Sequence, residues 1–189
     1  MKVAIIMGSK SDYPVVSKAE TILKEFGVEF ETRIMSAHRT PKVTEAFAAN
    51  AEANGIEVII AAAGKAAHLA GVLAAGTALP VIGIPMKSST LDGLDSLLST
   101  VQMPKGIPVA TVAVDGAENA ALLAIQILSV KYDSLREAMK AYKAKMEADI
   151  IALDQEFQAD KSGGQKWITK SSHTKTPASI PKKGNVRLA

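Results

Sequence analysis

The sequence predicts an α/β fold, a doubly wound parallel sheet with helices on both faces and a long C-terminal helix. Two observations carry this. Short apolar runs alternate with helical patterns five times along the chain. The third run, VIIAAA from Val58 to Ala63, is continuously apolar, as expected of a strand covered on both faces. Right-handed crossovers between such strands then make the three-layer arrangement nearly obligatory.

The first strand is Val3–Met7, followed by the loop GSKSD and an amphipathic helix from about Tyr13 to Phe26, stopped by Gly27. The second strand, EFETRIM, leads into a helix that opens at Pro41 and has Gly55 beyond its end. After the third strand comes a small-residue helix over Ala66–Gly76, then a fourth strand, PVIGIP. A helix over Leu91–Val101 and a fifth strand, PVATVAV, complete the alternation. The helix AENAALLAIQIL follows. A second helical pattern, Tyr132–Gln158, succeeds it with little or no break. That last helix has no strand of its own to cover, so it either packs on a neighbouring subunit or closes one edge of the sheet.

These patterns divide the chain into a body over 1–160, with a sandwich to about 130 and a helix over about 131–158, and a tail over 161–189. The tail is rich in Ser, Thr, Lys, Pro and Gly, holds the single tryptophan, Trp167, and reads as an appended arm, native or introduced. It carries seven basic and no acidic side chains, so the body holds 15 basic against 19 acidic, a net −4. No basic face interleaved with aromatics is present, which disfavours nucleic-acid binding. No apolar stretch spans a bilayer, strand-like residues begin at Val3 where a signal peptide would lie, and there is no cysteine. Disulfide and thiol chemistry are excluded, and a cytoplasmic location is expected.

In open α/β sheets ligands bind beyond the carboxyl ends of the strands. The four loops expected there are Gly8–Asp12, Ser36–Thr40, Gly64–His68 and Met86–Thr90. Glycines, hydroxyls, cations and both histidines of the body collect in them. Asp12 reads either as a cap for the helix that follows or, with Ser9, as a holder of a sugar hydroxyl or anion. His38 is the side chain whose unperturbed pKa lies nearest neutrality, able to give and take a proton within one turnover. Arg39 beside it offers a planar fork for phosphate or carboxylate. His68, one turn into the third helix, reads either as a site residue or as a structural hydrogen bonder. Neither Gly8–Asp12 nor Gly64–Lys65 matches a dinucleotide or P-loop motif, which disfavours nucleoside triphosphate hydrolysis. Metal-ligand spacing is lacking.

The ordered set MGSKSD, SAHRTP, AAHLAG, GLDSLLSTVQMP, GIPVATVAV and NAALLA resembles the N5-carboxyaminoimidazole ribonucleotide mutase family, from about Lys2 to Leu128. The resemblance implies a flavodoxin-like three-layer αβα sandwich, assembled as a homo-octamer with sites at subunit contacts. It implies carboxyl transfer on a ribonucleotide in de novo purine biosynthesis, with no metal, nucleotide cofactor or biotin. His38 would be the general acid/base. Ser9, Asp12 and Arg39 would bind the ribonucleotide, with Arg39 on the phosphate side. Ser36, Ala37, Ala63, Gly64 and His68 would line a closed, apolar pocket that keeps released carbon dioxide beside its acceptor.

Two positions depart from the family pattern GAGGAAHLPG: Lys65 replaces a glycine and Ala70 a proline. The related branch that carboxylates aminoimidazole ribonucleotide directly has an arginine at the position of Lys65. It also has HKTP in place of HRTP and lacks the equivalent of His68. Arg39 and His68 therefore point to the mutase branch, and Lys65 leans the other way. Lys65 is either an added cation for the substrate or a solvated lysine at a helix start. The rival readings are direct carboxylation and a non-catalytic oligomeric scaffold displaying the basic tail.

Overall fold

A computed structural model describes residues 1–89 and 91–168. Thr90 and most of the expected tail, 169–189, lie outside the described residues. Two units can be distinguished, Met1–Tyr142 and the chain from Lys143 onward.

In the first unit, β1 (Lys2–Met7), β2 (Glu29–Ile34), β3 (Val58–Gly64), β4 (Val81–Met86) and β5 (Ala110–Thr111) form one sheet. All pairings are parallel, in the order β2-β1-β3-β4-β5. That order reverses at β1, with β2 on one side and β3 on the other. The carboxyl ends flanking the reversal are where such a sheet opens a crevice.

The apolar runs of the strands follow from burial on both faces. Val3, Ile5 and Met7, with Val58, Ile60 and Ala62 of β3, pack against α1 (Tyr13–Glu25) and α5 (Ala117–Leu128). Ala4, Ile6, Ile59 and Ala61 point to the other face, against α2 (Pro41–Asn50) and α3 (Leu69–Ala75). Period-two alternation thus feeds two cores from the same strands. Fully buried Ala117, Ala120, Ala121 and Ala124 give α5 a flat inner face. At Gly83 a Cβ would collide with the methyl group of Thr100, so a glycine is what admits α4 (Leu94–Val101) onto β4.

Several elements are shorter than the periodicity predicts. The fifth strand keeps only Ala110–Thr111. In an extended strand the N–H and C=O of one residue point the same way. The carbonyl of Pro85 accepts from Asp115 N at 2.9 Å, so its imino nitrogen also faces this side, with no hydrogen to continue the ladder. The third helix begins at Leu69 rather than Ala66, because Lys65 takes a left-handed turn (φ 57°) at the end of β3. The stretch before α4 is a single turn over Leu91–Gly93, with Leu91 and Asp92 also at positive φ.

The turn at Ser129–Tyr132 separates α5 from α6 (Asp133–Ile168). Leu135 and Met139 of α6 are buried in the α1–α5 core, and Tyr142 meets Phe26 with ring centroids 5.5 Å apart. Just before the helix, Tyr132 Oη and Lys131 Nζ both donate to the Glu57 carboxylate, each at 2.8 Å. Partial burial pushes the Glu57 carboxyl up, but these hydrogen bonds and the Lys131 charge prevail and hold it below its ordinary range. The opening of α6 therefore closes on its own sandwich. Beyond Lys143 the helix exposes Met146, Ile150, Leu153 and Phe157, spaced four, three and four residues apart. It runs to Ile168, past Gln158 and into the segment read as tail, because an existing helix extends without a new nucleus.

Lys65 is a lysine in a conformation that costs L-residues about 1–2 kcal/mol. Lys65→Gly removes that cost, and the greater entropy of its unfolded chain offsets part of the gain. A net of about 0.5–1 kcal/mol raises Tm by about 1–4 °C in a chain of this size. Thermal unfolding followed by circular dichroism checks it, and an unchanged or lower Tm contradicts it.

Candidate active site

The first loop turns at Ser9. Its hydroxyl accepts from Ser11 N at 3.3 Å and from Ser11 Oγ at 2.8 Å, capping a single 3-10 turn over Lys10–Asp12. Asp12 precedes α1 but makes no capping bond from its side chain, contrary to the cap reading. Its backbone is already helical rather than extended, and Pro14 lacks one of the two N–H groups that a cap at this position could engage. The carboxylate instead accepts from Ser11 Oγ at 3.3 Å and lines a cleft. Burial pushes the Asp12 carboxyl up, with a smaller contribution from the charge of Asp115. Hydrogen bonds from Ser11 and Ser9 counter this only in part.

The second loop is locked by its own hydroxyls. Thr40 Oγ1 donates to Ser36 O and accepts from Ser36 N, both at 3.0 Å, and Thr40 N donates to Ser36 O at 2.8 Å. Buried Met35 anchors the strand side and Pro41 starts α2 on the other. Between these fixed ends His38 and Arg39 project from the sheet. Arg39 Nη2 donates to the Gly8 carbonyl at 2.9 Å and its Nε to Ser36 Oγ at 3.3 Å. One donor thus holds the guanidinium against the first loop and another against Ser36 of its own loop, and the fork keeps others for a ligand.

The third loop brings His68 to His38. His68 stands at the cap position of α3, not one turn inside a helix, because the left-handed Lys65 delays the helix start. His38 Nε2 lies 2.9 Å from His68 Nδ1, with the rings edge-on, centroids 5.0 Å apart at 75°. A bond at this distance places one hydrogen between the two nitrogens, so one ring donates and the other accepts. The structural-bonder and site readings of His68 coincide, since its partner is the other histidine.

All ten residues singled out in the sequence line one cleft of about 640 Å³: Ser9, Asp12, Ser36, Ala37, His38, Arg39, Ala63, Gly64, Lys65 and His68. Gly8, Ser11, Ala66, Leu69, Met86, Lys87, Ser88 and Ser89 join them. Ser11 and Gly8 were legible as loop-one neighbours. The fourth-loop residues could have been chosen from their place at the carboxyl end of β4. There Lys87 N donates to Asp115 Oδ1 at 2.8 Å, and Ser88 Oγ donates to the Asp95 carboxylate at 3.3 Å. Arg39 also borders a smaller cavity of about 360 Å³ with Lys10, Ile34 and Thr40. Among the described residues no group of three His, Asp or Glu side chains could hold a metal ion.

The closed pocket expected from the sequence is not formed by one chain. His38, Arg39, Lys65, Ala66 and His68 are all solvent-exposed. The loops that carry them lie side by side along the rim of the sheet, with nothing from the chain's own described residues folded over them.

The chain resembles proteins of known name along most of its length. It is 60% identical over 146 residues to the N5-carboxyaminoimidazole ribonucleotide mutase of Pyrococcus abyssi, covering 77% of this chain and 84% of that one. The protein of the same name from Thermotoga maritima is 54% identical over 157 residues, 83% and 92% of the two chains. The crystal structure of Treponema denticola PurE superposes with a TM-score of 0.76 at 32% identity, covering 82% of this chain and 97% of that one. The family model for AIR carboxylase matches residues 2–149, and the chain belongs to that family.

Proposed function

We propose that the chain is an N5-carboxyaminoimidazole ribonucleotide mutase of de novo purine biosynthesis. It converts its substrate to 4-carboxy-5-aminoimidazole ribonucleotide. The observation that carries this is the His38–His68 contact at 2.9 Å in a cleft that also holds the Arg39 fork. The relatives named above carry the same activity in their names, and their identity extends over most of both chains.

The reaction is a transfer with no net redox change. The bond between the exocyclic nitrogen and the carboxyl carbon breaks, and its electron pair stays on nitrogen, which takes a proton. Carbon 4 of the imidazole then attacks the released carbon dioxide, and its ring proton leaves to restore aromaticity. His38 is the proton donor in the first step and the acceptor in the second, so one imidazole returns to its starting state. His68 fixes which His38 nitrogen carries hydrogen and so positions the ring. Arg39 holds the phosphate end, beside the Gly8 carbonyl and Ser36. Ser9 and Asp12 hold ribose hydroxyls. Holding carbon dioxide against its acceptor gives the recombination the advantage of an intramolecular step.

That advantage requires a covered cleft. We infer that covering comes from assembly into a homo-octamer, as the resemblance implies. The support is the apolar surface one chain leaves exposed: Leu94, Leu98 and Val101 along one face of α4, and the Met146–Phe157 row of α6. Among the described residues no helix is long and apolar enough to cross a membrane. The substrate is a soluble charged nucleotide, and we place the enzyme in the cytoplasm.

Four outcomes follow. His38→Asn lowers mutase turnover by about 10²–10⁴-fold with Tm unchanged, since the exposed ring carries no core packing. If the variant turns over like wild type, the proton role is wrong. Supplying aminoimidazole ribonucleotide with bicarbonate in place of the mutase substrate supports little turnover, and a faster reaction there would favour direct carboxylation.

The raised Asp12 carboxyl means that its ionised form is disfavoured in the folded state. The resulting destabilisation is complete above the raised pKa and vanishes below the ordinary aspartate pKa. Asp12→Asn therefore raises Tm at pH 7 by about 1–3 °C, loses that advantage as the pH falls below about 4, and raises KM. Thermal melts across pH, paired with kinetics, check both halves.

Leu98→Asp places a charge on the exposed α4 face and reduces the assembled mass measured by light scattering, with turnover falling alongside. A full-mass, fully active variant would exclude this face from the assembly.

A further inference from the structure

The cations of the cleft differ in how they are engaged. Arg39 is tied to Gly8 and Ser36. Lys87 Nζ lies 3.4 Å from an Asp92 carboxylate oxygen. The ammonium of Lys65 has no hydrogen bond or ion pair among the described residues. Its backbone is nevertheless held in the left-handed region, where a lysine is disfavoured. Ser99 Oγ of α4 reaches the Lys65 carbonyl at 3.5 Å, and the preceding Gly64 is in register with Met86 of β4. Lys65 thus belongs to the β3–β4 side of the cleft, whereas Arg39 is anchored on the β1–β2 side. Lys65 also lies on the same loop as His68, the partner of the proposed proton carrier.

A ligand for this cleft, on the mutase reading, has two anionic ends: a phosphate and a carboxylate. Arg39 and Lys65 are anchored on opposite sides of β1, and Lys65 shares its loop with His68, whose bond to His38 marks the place where the carboxyl group migrates. We propose that Lys65 recognises the migrating carboxylate, an assignment that rests on the mutase reading above. Its ammonium donates to the carboxylate oxygens of the carbamate substrate and of the 4-carboxylate product. Carbon dioxide is neutral, so the contact is released when the carbon–nitrogen bond breaks and is re-formed when the carbon–carbon bond closes. Lys65 therefore discriminates between carboxylated nucleotides and the decarboxylated nucleotide that passes between them, and its side chain makes no direct proton transfer.

The test is calorimetric binding of two nucleotides, 4-carboxy-5-aminoimidazole ribonucleotide and aminoimidazole ribonucleotide. The proteins are wild type, Lys65→Met and Lys65→Arg. Lys65→Met keeps the bulk and the backbone strain but removes the charge. It is expected to weaken the carboxylated nucleotide about tenfold, in line with loss of one charged hydrogen bond, and to leave the other within about twofold. Lys65→Arg retains most of the preference. Equal weakening of both nucleotides places Lys65 on the phosphate and overturns the proposal, as does no weakening of either. Mutase turnover of the wild-type chain, measured alongside, separates the two levels. A wild type without turnover overturns the mutase reading and the Lys65 assignment with it. An active wild type whose carboxylate preference survives Lys65→Met overturns the Lys65 assignment alone.

Discussion

Parallel pairing of β1 between β2 and β3 is the constraint on which the site depends. It places the carboxyl ends of three strands side by side, although their loops are separated by tens of residues in the chain. His38 and His68 come from loops after β2 and β3, two strands that do not touch each other, and their rings meet above the end of β1. Arg39 reaches the Gly8 carbonyl at the end of β1 itself. A one-residue slip of β1 would exchange its two core faces and disturb these meetings. The dense packing of Val3, Ile5 and Met7 on one side and Ala4 and Ile6 on the other resists such a slip.

The rim is also where the chain departs from its most stable choices. Lys65 and Asp115 both hold positive φ, and Asp12 is partly buried with no ion pair among the described residues. Asp115 has a structural role, since its carboxylate accepts from Lys87 N and ties the fifth strand's extension to the fourth loop. The Lys65 ammonium and the Asp12 carboxylate form no ion pair among the described residues, and strain of this kind collects where ligands are handled. The sandwich beneath is conventional by contrast. Its buried side chains are apolar or hydrogen-bonded, as with Ser96 Oγ donating to Met86 O at 2.8 Å.

A single chain leaves the histidine pair open to water and also leaves apolar rows on α4 and α6 exposed. Confinement of carbon dioxide, which the proposed mechanism requires, calls for a cover that the described residues of one chain do not supply.

The sequence by itself determined the alternation of strands and helices, because both-face burial writes continuous apolar runs and amphipathic stretches that periodicity detects. It also determined which loops carry chemistry: hydroxyls, cations and histidines gather at the ends of those runs. Tertiary structure decided what depends on long-range partners. Pro85, facing the fifth strand, shortened the ladder that PVATVAV would otherwise make. Left-handed Lys65 moved His68 from inside a helix to its cap. Helical backbone at Asp12 and the missing N–H of Pro14 turned a cap into a cleft carboxylate. The bond between His38 and His68 spans thirty positions, and no local pattern encodes it. It exists because the strands bearing the two loops flank the same central strand.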